Sequence, residues 1–139
     1  MKSRFLLILV PLSIIIMGAS FTLKKQQQKE KDPWPVPENY IKMKNPVPSD
    51  AESLAAGKTL WVKHCQSCHG KSGLGDGSKA AQLKTEAGNF SKADVQAQPD
   101  GALFYKTAEG RDDMPGFKKK IPDKDDLWAI VNYIRTFKK

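Results

Sequence analysis

The stretch HCQSCHG, His64 to Gly70, holds both cysteines and both histidines of the 139-residue chain. Four side chains that can bind metals therefore fall within six residues, and the rest of the sequence has no other Cys or His. This cluster leaves three possibilities: a zinc site, a disulfide or redox dithiol, or a larger group that both cysteines hold.

Zinc fits this spacing poorly. A structural zinc site surrounds the ion tetrahedrally, normally with two ligand pairs that are well separated in sequence. Here the second pair is missing, and ligands this close together cannot comfortably surround one ion.

A thioredoxin-like dithiol is the second possibility. That chemistry is typical of a CxxC motif in a βαβ context, where a helix N-terminus stabilises the thiolate. In this chain the CxxC motif follows a predicted helix, and no strand pattern accompanies it. A plain disulfide in an exported protein stays open as an alternative.

The third possibility is covalent haem, because residues 65–69, CQSCH, have the C-x-x-C-H spacing of haem attachment. Two thiols three residues apart on one turn project to the same side, so each can bond one vinyl group of a porphyrin. His69 then offers a nitrogen to the iron. The motif therefore predicts one haem c that is attached through Cys65 and Cys68, with His69 as an axial ligand.

Met114 is the predicted ligand on the other face of the iron. It stands 45 residues after His69 in the sequence DDMPGF, where Pro115 stiffens the loop. His64 is too close to the motif to reach over a porphyrin, and Met43 lies in a proline-rich segment. A lone methionine is usually core filler. A proline-flanked loop disfavours that interpretation, and His/Met ligation is a known haem pattern.

The patterns after residue 48 predict an all-α domain over residues 49–139. Ser49 and Glu52 have the spacing of a capping box, and apolar residues at helical steps follow them. Asp100 is predicted to cap a later helix that Gly110 ends.

The last helix is predicted to open at Pro122-Asp123, with the apolar stripe Leu127, Ile130, Val131 and Ile134. A domain this small buries little surface and usually needs an additional stabilising element, such as a cofactor.

The N-terminus predicts export. Lys2 and Arg4 precede nineteen uncharged residues, Phe5 to Leu23. A basic start followed by an apolar stretch and small residues is typical of a signal peptide. The same length just suffices for a membrane anchor, which would hold the protein to the membrane through residues 5–23. In either case residues 1–23 place the remainder of the chain on the periplasmic side.

Residues 24–48 contain five of the nine prolines and are predicted to form an extended linker or strap without regular helix. Trp34 and Tyr40 could pack it onto the domain. The domain itself carries only 15 Lys and Arg against 12 Asp and Glu, and its basic residues do not alternate with aromatic ones. Nucleic acid is therefore not an expected partner.

Residues 49–139 resemble a single-haem class I c-type cytochrome, similar to the cytochrome subunit of bacterial cbb3-type oxidases. The resemblance rests on CQSCHG, on GLGDG at residues 73–77 and on MPGF at residues 114–117. It implies a small cytochrome c fold of three to five helices wrapped around one covalent haem. It also implies that the first and last helices cross, through Gly57 and Trp61 on one side and Ile130, Tyr133 and Ile134 on the other.

The resemblance leaves one detail open. Many relatives have a proline soon after Gly-Asp-Gly, and its carbonyl orients the haem-ligating imidazole. Ser78 stands at this place, so the carbonyl that orients His69 is not identified. The family also implies that Asn89 contacts a haem propionate and that Phe90 packs on the haem.

The implied function is single-electron transfer by the His/Met-ligated haem in an exported respiratory or redox chain, and not enzymatic catalysis. The expected partners are redox proteins, namely an oxidase, a reductase or a dehydrogenase. One alternative is a haem-bearing subunit of a membrane oxidase or dehydrogenase complex. The others are a small haem peroxidase, which would need a displaceable Met114, and a CxxC disulfide protein.

Overall fold

The computed structural model describes residues 34–139, so the predicted signal peptide or anchor and the first part of the linker lie outside the described residues. Residues 34–139 form six α-helices, one 3₁₀ turn and no β-strand, which confirms the predicted all-α class. The elements are α1 (Glu38–Ile41), α2 (Ala51–His64), α3 (Gln66–His69), the 3₁₀ turn (Ala80–Gln82), α4 (Ala93–Gln96), α5 (Asp100–Glu109) and α6 (Lys124–Arg135). Within this range no helix combines the length and the apolar character needed to cross a bilayer.

The cap of α2 lies one residue later than the sequence pattern indicated. The Asp50 carboxylate accepts a hydrogen bond from the Ser53 backbone N–H at 2.9 Å, and the Ser53 hydroxyl accepts one from the Asp50 N–H at 3.2 Å. The predicted capping box of Ser49 and Glu52 is therefore wrong in register. Aspartate caps a helix as well as serine does, and Ser53 replaces Glu52 as the reciprocal partner.

Helices α2 and α6 cross where the family resemblance implied. A Cβ atom on Gly57 would overlap the Ala129 carbonyl and lie 2.9 Å from the Tyr133 Cβ, so only glycine permits this approach. Trp61 and Ile130 are fully buried beside the crossing, and the Trp61 ring lies 6.0 Å from the Tyr133 ring. The predicted contact between the first and last long helices is confirmed.

Helix α5 begins without a side-chain cap, which corrects the role predicted for Asp100. Pro99 occupies the capping position, and Asp100 is the first helical residue. The Asp100 carboxylate instead accepts a hydrogen bond from Arg135 Nε at 2.8 Å, at the far end of α6. Gly110 ends the helix with a φ of 71°, as predicted.

The proline-rich segment contains a helical turn, α1, so the prediction that its prolines exclude helix is wrong here. Pro37 is the capping residue outside α1, so its missing N–H removes no hydrogen bond from the helix. Tyr40 packs on the Tyr105 ring at 4.8 Å, and a Cβ on Gly101 would overlap the Tyr40 carbonyl. This segment thus lies directly on α5.

A buried amide joins the segment before α2 to the last helix. Asn132 in α6 is 6% exposed. Its Oδ1 accepts from Asn45 Nδ2 at 2.8 Å, and its Nδ2 donates to the carbonyls of Val47 and Pro48 at 3.2 Å and to Ser53 Oγ at 3.3 Å. The sequence patterns did not identify Asn132, because a single polar residue on a helix has no spacing signal of its own.

We expect Asn132→Leu to lower the free energy of unfolding of the haem-loaded protein by about 3 kcal/mol. Leucine keeps the side-chain volume but leaves several buried polar groups without a partner. Urea unfolding measures the change. Gln82→Leu removes an exposed amide in the 3₁₀ turn and should change stability by no more than about 0.5 kcal/mol. Equal effects of the two substitutions would contradict the role of Asn132.

Candidate functional site

The cysteine motif folds into one tight turn at the end of α2. Cys65 lies between the last residue of α2 and the first residue of α3. The backbone N–H groups of Cys68 and His69 both donate to the Cys65 carbonyl, at 3.2 Å and 2.9 Å. The structure therefore brings Cys65, Cys68 and His69 together within a single turn, as the spacing predicted.

The glycine-rich loop after the motif folds back onto this turn. Gly75 N–H donates to the His69 carbonyl at 2.9 Å, and Gly77 N–H donates to the Cys68 carbonyl at 3.2 Å. A Cβ on Gly77 would overlap the Ser67 carbonyl, so the glycine allows this close approach. The loop satisfies the carbonyls that the short helix α3 leaves free and holds the motif in place.

Both cysteines are free thiols in the structure. Burial raises the pKa of the Cys65 thiol to about 12, and the neighbouring Cys68 adds to the shift. A thiol with such a pKa is protonated at neutral pH, whereas a redox-active CxxC needs a thiolate. Within residues 34–139 no group of three or more His, Cys, Asp or Glu side chains could hold a metal ion.

His69 lies among aromatic rings. Its ring centroid is 4.9 Å from that of Phe90 and 5.7 Å from that of Trp61, whose Nε1 donates to the Gly70 carbonyl at 3.1 Å. Phe90 therefore packs beside the predicted haem ligand. Phe137, which the sequence analysis missed, also packs on Trp61 at 4.9 Å. Its spacing of four residues from Tyr133 continues one face of the last helix and could have indicated it.

The imidazole of His69 has bonding capacity that the protein does not use. Burial lowers its pKa, so the ring is neutral at pH 7, and its buried Nδ1 has no well-formed hydrogen bond. The Ala87 backbone approaches the ring closely enough to oppose this pKa shift in part. Neutral imidazole is the commonest metal ligand in proteins. A buried ring with an unused nitrogen next to two free thiols on one turn fits covalent haem with histidine ligation.

The same contact makes the Ala87 backbone the candidate for the orienting group that Ser78 left open. Ser78 is exposed, and Ala87, eighteen residues after His69, supplies the backbone group near the imidazole. The Asn89 Oδ1 accepts from the Ser91 N–H at 2.8 Å and from the Ser91 hydroxyl at 2.7 Å, and its Nδ2 is the group that would donate to a propionate. Its contact with a haem propionate stays a prediction.

Met114 lies in a separate loop between α5 and α6. Its backbone exchanges two hydrogen bonds with Arg111, at 2.8 Å and 2.9 Å, which close a tight turn with Asp112 at a φ of 52°. Phe117, at the end of this loop, packs on the His64 ring at 5.7 Å, so the loop reaches the residue next to Cys65. The Met114 side chain is half-buried.

The rival methionine, Met43, lies elsewhere. It packs against Gly101 at the start of α5, and its side chain is 37% exposed. Of the two methionines in the described residues, Met114 is therefore the one whose loop reaches the motif.

Comparison with known proteins places these features in a family. Residues 52–134 match the protein family described as cytochrome c oxidase, cbb3-type, subunit III. The chain is also 30% identical over 90 residues to cytochrome c6 of Cladophora glomerata, and the match covers 61% of this chain and 89% of that protein.

Two solved structures have related folds. The KustC0563 c-type cytochrome is 30% identical, with a TM-score of 0.51 over 60% of this chain and 98% of that one. A chain of the Kuenenia stuttgartiensis reducing HAO-like protein complex Kustc0457/Kustc0458 has a TM-score of 0.62 over 79% of this chain. It is 20% identical, which shows the fold alone, and this chain spans about half of its length, 53%.

Proposed function

This chain belongs to the cytochrome c oxidase, cbb3-type, subunit III family, and we propose that it carries single electrons through a haem c whose axial ligands are His69 and Met114. Family membership, together with the likeness to cytochrome c6 and to a c-type cytochrome structure, makes it a class I c-type cytochrome with one covalent haem c. The predicted family and cofactor are thereby confirmed. The ligand pair, the cellular location and the partners are the proposal.

The observation that carries the proposal is the arrangement of the motif turn. Two free thiols and a buried neutral imidazole share one turn, and loop hydrogen bonds hold that turn in place. When bound, haem c supplies an iron that alternates between the ferrous and ferric states. The chain holds the group through Cys65 and Cys68, and the Trp61, Phe90 and Phe137 rings exclude water beside His69.

Met114 is proposed as the second axial ligand because its loop is short and closed by hydrogen bonds, and because it reaches the motif through Phe117. Ligation by histidine and methionine leaves no open position on the iron and raises its reduction potential. Such a site moves electrons and does not bind a substrate at the metal. An electron carrier is therefore favoured over a small haem peroxidase.

The proposed location is the periplasm, and the proposed partners are redox proteins. The basic and apolar residues 1–23 support export as a signal peptide or an anchor, and residues 24–48 connect them to the cytochrome domain. A haem-bearing subunit of a membrane oxidase or dehydrogenase complex is the second candidate, because the family description names an oxidase subunit. Co-purification with such a complex at fixed stoichiometry would favour the subunit over a free carrier.

Covalent attachment is tested by expression with haem-attachment machinery, followed by a haem stain on a denaturing gel and an intact-mass measurement. We expect the wild-type protein to stain and to carry the mass of one haem, and Cys65→Ala/Cys68→Ala to do neither. The intact mass also reports whether residues 1–23 are cleaved. His64→Gln is the matched control, since it changes the histidine beside the motif but should keep the stain. Colourless wild-type protein with free or mutually bonded cysteines would contradict the proposal.

A further inference from the structure

The Asp113 carboxylate binds a second loop. Asp113 directly precedes Met114, and its Oδ2 accepts hydrogen bonds from the backbone N–H of Lys84 at 2.6 Å and of Thr85 at 3.2 Å. The Thr85 hydroxyl lies 3.4 Å from the same oxygen. A charged acceptor that serves several donors forms stronger hydrogen bonds than a neutral one.

The loop that Asp113 binds is the one that contacts His69. This loop, residues 83–90, contains Lys84 and Thr85. It also contains Ala87, whose backbone approaches the His69 imidazole, and Phe90, whose ring centroid lies 4.9 Å from that of His69. The loop is also tied to the glycine-rich segment, since Phe90 N–H donates to the Gly73 carbonyl at 2.7 Å. Its position relative to the haem-binding turn is thus well determined.

The closed turn couples the position of Asp113 to the position of Met114. Arg111 and Met114 close a four-residue turn with two backbone hydrogen bonds, and Asp113 occupies its third position. Little freedom remains between the Asp113 carboxylate and the Met114 backbone, because the turn is closed on both sides. A contact that fixes Asp113 therefore also restricts the Met114 backbone, and with it the point from which the Met114 side chain extends.

We propose that Asp113 is a positioning residue that joins the Met114 loop to the 83–90 loop and so keeps Met114 on the iron. This inference rests on the proposed His69 and Met114 ligation. When the carboxylate is lost, the Met114 loop separates more often from the loop that contacts His69. An external ligand then reaches the iron more easily.

The test uses imidazole as the probe and compares two neighbouring aspartates in the haem-loaded ferric protein. Asp113→Asn and Asp112→Asn remove the same charge from the same turn, but only Asp113 accepts hydrogen bonds from Lys84 and Thr85. Asp112 makes only a partly exposed ion pair with Arg111 at 3.3 Å, and asparagine tolerates its left-handed backbone.

We expect Asp113→Asn to bind imidazole about fivefold faster than wild type, the size of effect expected from weakening one or two hydrogen bonds. Asp113→Ala removes every acceptor and should bind it about tenfold faster. The amide protons of Lys84 and Thr85, followed by hydrogen exchange, should lose protection in parallel. Asp112→Asn should stay within about twofold of wild type in both measurements.

The outcomes separate the two hypotheses. If ferric wild-type protein lacks the sulfur-to-iron absorption band, the Met114 ligation is wrong, and the positioning role fails with it. If wild type shows the band but Asp113→Ala and Asp112→Asn bind imidazole equally fast, only the positioning role is overturned. Faster amide exchange without faster imidazole binding would overturn it as well, because the loops would then separate without releasing Met114. If Asp113→Ala does not fold, Asp113→Asn alone decides.

Discussion

Met114→Ala is expected to lower the reduction potential of the haem-loaded protein by a few tenths of a volt. A methionine sulfur stabilises ferrous iron, and axial ligands set haem potentials over a range of about 0.8 V. The variant should also lose the sulfur-to-iron absorption band of the ferric state and should bind carbon monoxide when reduced. Redox titration followed by absorption spectroscopy measures all three changes.

Met43→Ala is the matched control for this prediction. Met43 is the other methionine in the described residues, and it packs on Gly101 at the start of α5, away from the motif turn. Its removal should leave the potential, the band and the resistance to carbon monoxide unchanged. If Met43→Ala loses the band and Met114→Ala keeps it, the ligand assignment is wrong.

Gly57→Ala is expected to destabilise the haem-loaded protein by about 3 kcal/mol or more. Helix propensity alone favours alanine over glycine by about 1 kcal/mol. At this position the added methyl group would overlap the Ala129 carbonyl and press on the Tyr133 Cβ, so the two helices have to move apart. Overpacking typically costs about 1–3 kcal/mol and occasionally more. Because the overlap here is with the Ala129 backbone, we expect a packing cost of about 4 kcal/mol or more, which leaves a net loss of about 3 kcal/mol after the gain in propensity.

Thermal or urea unfolding measures this loss, and Ala55→Gly provides the comparison. Ala55 is exposed on the same helix, so its replacement should cost only about 1 kcal/mol, the propensity difference. A Gly57→Ala protein as stable as wild type would mean that α2 and α6 do not approach each other as closely as the structure shows.

The predictions that succeeded from the sequence are those that depend on near neighbours in the chain. The two cysteines and His69 act within one turn, so their spacing alone indicated haem c, and the family comparison confirms it. The apolar stripe of α6 repeats every three or four residues, and Leu127, Ile130 and Val131 are indeed buried. Met114 as an iron ligand stays a prediction, which the potential and the absorption band will decide.

Besides the helical turn in the proline-rich segment, the predictions that failed concern polar groups with competing partners. Asp100 has the sequence context of a helix cap, yet its carboxylate accepts a hydrogen bond from Arg135, thirty-five residues away. The cap of α2 lies one residue later than predicted, because Asp50 and Ser53 hydrogen-bond each other's backbone N–H groups as well as Ser49 and Glu52 would have. A local pattern shows which groups can form a hydrogen bond, but it does not show which partner the fold brings nearest.

The sequence by itself determined the cofactor chemistry and the helical class, because covalent attachment and amphipathic helices depend on spacings within one or two turns. The crossing of the first and last long helices was implied by the family resemblance and not by those spacings. Only the tertiary structure decided which backbone approaches His69, that Phe137 completes the aromatic cluster, and that Asp113 joins the two loops. These contacts link residues far apart in the chain. Loops have no periodic pattern that records their partners, and their contacts form only when the packed helices bring them together.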